Sequence, residues 1–228
     1  MPSTRHERLS ALGAAFAARF RDFISHSAFP CVGAKSALHR NRMEFGLYRR
    51  LDDQDSAAAL CDELGDFSRR YPDPGIDPVS YVAMFRGDVA NDDDFHRRLW
   101  GHLQSMNDFD ARAHAWDPSV SADPDSLDFS FSVAARAFFV VGLHPRSQRR
   151  ARRAPFPCLV FNFHDQFEAM RASGRFDKLQ AAIRQRDIAL QGSINPILAR
   201  YGEGSEAVQY SGNAKAARTR CPFHAKAA

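Results

Sequence analysis

The run "AFFVVGL", residues 137–143, restricts the fold more than any other stretch of the chain. It is apolar on both faces and carries phenylalanine and valine throughout, so it reads as an inner strand of a sheet that is covered on both sides. "FSFSV" precedes it and "CLVFNF" follows it, and the three read as neighbouring strands. Two more strand candidates lie upstream, "RMEFGLYRRL" and "VSYVAMF". A chain of 228 residues is long enough to enclose such a sheet in a single domain.

Helical periodicity fills much of the remainder. Leu9, Leu12, Phe16, Phe20 and Phe23 recur at three or four residues and predict an N-terminal helix within residues 1–28, with "AFPCVG" as its terminating turn. "SAAALCDELGDFSRR" predicts a second helix, and "NDDDFHRRLWGHLQSM" a third, with acids at its N-terminus and a stripe of Phe95, Leu99, Leu103 and Met106. "DQFEAMRASG" and "FDKLQAAIRQRDIAL" predict two more, divided at Gly174, and the Gly- and Ser-rich tail reads as mostly loop. Without an internal repeat or a low-complexity linker, residues 1–228 read as one α+β domain, a largely antiparallel sheet covered by helices, with residues 29–223 as its core.

Charge is distributed unevenly. The formal net charge is only +4, yet Phe129 to His164 contains no Asp or Glu, and Arg146, Arg149, Arg150, Arg152 and Arg153 crowd into eight residues of that window. Guanidinium forks suit carboxylates and phosphates, so this loop reads as a candidate anion clamp. His144 stands where "AFFVVGL" ends and His164 where "CLVFNF" ends. Read as neighbouring strand exits, the two could supply one metal ligand or an acid–base residue beside the clamp; read singly, each suits a hydrogen-bonded core histidine equally well.

Cys31, Cys61, Cys158 and Cys221 include no CxxC pair and do not resemble a disulfide framework. Cysteine adjoins proline in "FPC" (29–31), "FPC" (156–158) and "CPF" (221–223); a rigid loop of this kind suits a haem thiolate as well as a small buried apolar side chain. "YGEGSEAVQYSGN" lacks the spacing of a P-loop, and its Glu203 and Glu206 are candidate partners for a cationic group. Nucleic acid is a weak expectation for the arginines, because "NDDDF" and "DDQD" repel phosphates and no known reading motif is present. Without a signal peptide or an apolar run long enough for a bilayer, the expected location is cytoplasmic, with no membrane partner.

Seven strings in consistent order, "FPCVGAKSA", "FSFS", "FFVVGLHPRSQRRARR", "LVFNFHDQFEAMR", "IRQRDIALQGSINP", "SEAVQYSG" and "CPF", resemble the YqcI/YcgG family from about Phe29 to Phe223. The chain departs from the family pattern at "HPRSQR", at "FNFH" and at Asn213, where arginine is common. The resemblance implies a haem b protein that hydroxylates a nitrogen of a guanidine or amine-containing small molecule, with an unspecified electron donor and room for a homo-oligomer. On that reading His144, His164 and, behind them, Cys31 are alternatives for the axial ligand. Arg146, Arg149, Arg152 and Arg153 would meet the propionates, and Phe161 the porphyrin. His144, His164 and Glu206 would serve catalysis, with Glu206 or Glu168 facing the substrate cation. A haem carrier or sensor, and a cofactor-free module binding anions or nucleic acid, are the alternatives.

Overall fold

The computed structural model describes residues 10–195, 204–215 and 220–226. Its centre is one five-stranded sheet formed by β1 (Met43–Tyr48), β2 (Ser80–Phe85), β3 (Phe131–Val133), β4 (Arg136–Leu143) and β5 (Cys158–Phe163), in the spatial order β1-β2-β5-β4-β3. Only β1 and β2 run parallel; the other pairings are antiparallel. The fold is therefore a single mixed α+β domain, and β4 is an inner strand as its two-faced apolarity predicts.

The two faces of the sheet carry separate cores. On the first face Tyr81, Ala83, Phe85, Phe138, Val140, Leu159, Phe161 and Phe163 meet α3 (Gln54–Arg70) and α4 (Asp92–Asp110). Both helices begin on side-chain caps. Asp53 accepts from the Ser56 amide and Asn91 from the Asp94 amide, and the acids of "NDDDF" occupy the first turn of α4, where the helix dipole favours them. Gly142 lets α4 sit directly on β4, since a Cβ there would stand 2.7 Å from both Leu99 and Phe95. On the second face Val82, Met84, Leu143 and Cys158 meet α1 (Ala11–Ser25) and α2 (Val32–His39). The chain then adds α5 (His164–Ala172), α6 (Arg175–Gln191) and the short α7 (Ala207–Tyr210).

Two local expectations need correction. The buried stripe of α1 is Gly13, Ala17, Phe20 and Ile24, while Leu12 is 46% exposed; small side chains form the contact because they let the helix approach closely. Leu9 lies outside the described residues. "AFPCVG" is also more than a turn, because Cys31 is the N-cap of α2 and Gly33 lies within that helix.

Candidate functional site

The arginine loop connects β4 to β5, and its charge is spent on the protein itself. β3 is only three residues long, so β4 beyond Phe138 has a bare edge. Arg152, buried in a short 3-10 turn (Arg150–Arg152), fills that edge. It donates to the carbonyls of Gly142 at 3.0 Å, Tyr210 at 3.0 Å and Gln209 at 2.7 Å. Burial, reinforced by Arg149, lowers its pKa to about 10. The Tyr210 hydroxyl completes the seal by donating to the Phe138 carbonyl at 3.2 Å. Arg149 pairs with Asp187 and donates to the Ser193 carbonyl at 2.9 Å, and Arg150 donates to the Leu190 carbonyl at 3.0 Å. Arg153 donates to the Ser147 carbonyl at 2.6 Å, and exposed Arg146 faces Asp88 at 3.5 Å. The expected propionate clamp is thus a brace that ties the loop to α6 and α7. Unpaired backbone carbonyls, which no sequence pattern reveals, claimed the guanidinium groups.

The two histidines do not share a site. β4 and β5 are antiparallel, with Leu143 opposite Cys158 and Phe138 opposite Phe163. His144 and His164 therefore leave opposite ends of the ladder, seven residue steps or about 24 Å apart along the strands at ~3.4 Å per residue. His144 is fully buried; its ring stacks on Phe95 at 4.3 Å and its Nε2 meets Asp92 at 3.1 Å. Burial lowers its pKa against the pull of Asp92. A porphyrin has no approach to this ring. Phe161 is equally enclosed, in the first-face core.

His164 does meet one expected partner. It opens α5, with Nδ1 3.7 Å from Glu206 and Nε2 3.7 Å from Glu168. Glu206 is buried and accepts from the Tyr210 hydroxyl at 3.4 Å. Tyr210, which the sequence reading passed over, thus links this acid–base pair to the edge of β4. Its ring also meets Phe139 at 5.8 Å. Glu203 lies outside the described residues.

Cys31 stands in a different setting, on the second face. Its sulfur accepts from the Ala34 amide at 3.4 Å at the start of α2, and it is only half-buried. Burial raises the thiol pKa, and the Ala34 and Gly33 amides pull against that rise. The nearby sheet surface is incompletely covered. Phe139, Val141, Val160 and Asn162 form a half-buried strip on β4 and β5. α6 packs chiefly on α5, the 3-10 turn and α2, and Asp187 is its only buried residue. Leu179 of α6 reaches the Gly33 backbone, and Arg184 of α6 has a buried Nε without a hydrogen-bond partner. Cys31, Val141 and Val160 thus pack, half-buried, against the same second-face core. Cys31 fits a haem better than either histidine, because the residue is less buried than His144 or His164 and its sulfur already accepts from an amide.

The model of the YqcI/YcgG family matches residues 20–224, and the chain belongs to that family. No curated protein and no solved structure shows significant similarity to it.

Proposed function

We propose that the protein binds haem b on the second face of the sheet, where Cys31 would hold its iron, and that it hydroxylates a nitrogen of a guanidine or amine-containing small molecule. The observation that carries this reading is the placement of the Cys31 sulfur, at a helix N-cap beside a half-covered apolar strip. The chemistry that haem supplies when bound is activation of dioxygen or peroxide for oxygen transfer to nitrogen.

The chain's own residues have separable tasks. Cys31 would hold the iron as a thiolate, and the amides of Ala34 and Gly33 favour that charged form against the rise that burial imposes. Phe139, Val141 and Val160 would keep water from the bound group, which strengthens any charge interaction beside it. Arg184, whose buried Nε has no hydrogen-bond partner, would offer a guanidinium to a propionate in place of the braced Arg149 and Arg152. His164 and Glu206, adjoining the strip through Tyr210 and Phe139, form the acid–base couple that would hold a substrate cation or move its proton. The nucleic-acid alternative loses its support, because the arginines on which it rested are bonded within the fold.

Reconstitution with haemin tests the reading. Wild type should take up one haem per chain with a thiolate-type spectrum, and Cys31→Ala should lose that spectrum while His164→Gln retains it. Turnover of arginine or simple guanidines with a reductant or peroxide then separates an oxygenase from a carrier. Wild type that takes up no haemin ends the proposal.

A further inference from the structure

β1 and β2, the parallel pair, both run forward into helices on the same face, so the N-termini of α3 and α4 open at one end of the sheet. A crevice outside the carboxyl ends of parallel strands is a recurrent place for ligands. Here it is a cavity of about 280 Å³, lined by Arg50, Arg86 and Arg98 from three separate segments, together with Asp88, Gly87 and Pro157. It lies outside the haem site proposed above and does not depend on it.

The three guanidinium groups are held differently. Arg98 is pinned by Asp94 at 3.0 Å and Asp52 at 3.2 Å, which aims it without mobility. Arg50 holds Asp52 loosely and from solvent, at 3.2 and 3.4 Å. The exposed Arg86 guanidinium engages no partner among the described residues. The neighbouring acids are shared outward, Asp94 with Arg97 and Asp88 with Arg146, so positive charge is left in excess within the cavity. Gly87, at φ +94°, keeps side chains away from the rim and leaves the backbone approachable. The amides at the starts of α3 and α4 are already capped by Asp53 and Asn91, so recognition falls to the arginine forks.

We infer that this crevice binds a phosphate group, as the free ion or as a phosphate monoester, between Arg50, Arg86 and Arg98. The Arg86 fork is open, and Arg50 Nη1 and Arg98 Nη2 are left over from their carboxylates, so a tetrahedral dianion could accept from all three.

The test titrates the full chain with inorganic phosphate at constant ionic strength, following the amide resonances of Gly87 and Val89. A parallel titration uses a simple alkyl phosphate, and another uses chloride. Phosphate should produce saturable shifts that chloride does not, and Arg86→Ala should weaken binding about tenfold, as expected for loss of a charge-assisted hydrogen bond. Arg86 is exposed, so the variant is expected to fold as wild type does. Saturation by both phosphates indicates a monoester site, and saturation by the inorganic ion alone indicates a site for free phosphate. Shifts that rise linearly, that chloride reproduces, or that Arg86→Ala leaves unchanged would overturn the inference and mark charge screening only.

Discussion

His102 lies in the middle of α4, 1% exposed, against the edge of Phe85, and neither ring nitrogen has a hydrogen-bond partner. Burial lowers its pKa to about 4, with Asp53 and Asp52 opposing the shift. The folded state keeps the ring neutral while the unfolded chain protonates it near its ordinary 6.5. Stability from this group is complete above the unfolded value and is lost as pH falls from 6.5 towards 4, by about 3 kcal/mol. Urea melts across that range should show the loss in wild type and a flatter profile in His102→Leu. Arg152 makes the opposite case, a buried charge satisfied by three carbonyls. Arg152→Ala strands those acceptors and should cost about 3 kcal/mol or more. The urea midpoint should fall at unchanged slope, and an unshifted midpoint would refute the edge-sealing role.

At the scale of elements, two features mark where the backbone is under constraint. The β3–β4 hairpin turns through Ala134 at φ +52° and Ala135 at φ +57°, a left-handed pair that usually selects Asn-Gly. Asp110, at the end of α4, holds this turn by accepting from the Ala134 amide at 3.0 Å. Ala135→Gly should therefore stabilise the fold by about 1 kcal/mol, raising Tm by about 2–4 °C. A lower Tm would show that the turn is unstrained. On the opposite edge, Gly46 of β1 makes room for a phenol–carboxylate cluster. Tyr48 and Tyr81 share Glu63, and a Cβ at position 46 would stand 2.2 Å from the Tyr81 hydroxyl and 2.6 Å from that of Tyr48. Gly46→Ala should cost about 2–3 kcal/mol by overpacking. Tyr81→Phe should recover part of that loss in the double variant, a coupling that a thermodynamic cycle measures directly. Strict additivity would exclude the clash.

For the molecule as a whole, the unequal covering of the two faces matters most. The first face is closed by α3, α4, Tyr210 and Phe223, whereas Phe139, Val141, Val160 and Asn162 on the second stay half-buried. A ligand held on this second face binds only the folded state and stabilises it by mass action. Haemin at 100 times its dissociation constant should add about 2.7 kcal/mol to wild type. Cys31→Ala should gain measurably less, and hydrogen exchange in α6 should slow most on binding. Equal gains in both proteins would remove Cys31 from the site. Among the described residues no helix is long and apolar enough to cross a membrane.

Element identity was legible in the linear chain because periodicity and capping are local. The two-faced apolarity of residues 137–143, the acids before Phe95 and the break at Gly174 each reappear in the fold. The site was legible only in part. His164 and Glu206 stand together, whereas His144 and Phe161 are enclosed in the core and Arg149 and Arg152 bond within the fold. Their roles depend on strand direction and on which carbonyls a neighbouring strand leaves bare. Composition and spacing by themselves determined a mixed α+β domain with an apolar inner strand. The tertiary structure alone decided that antiparallel pairing sends the two histidines to opposite ends, that a three-residue β3 draws Arg152 inward, and that Cys31 caps α2 against the second-face core. The physical reason is one of range. Hydrophobic period and helix caps act within a few residues, while hydrogen-bond satisfaction and burial are settled between segments far apart in sequence.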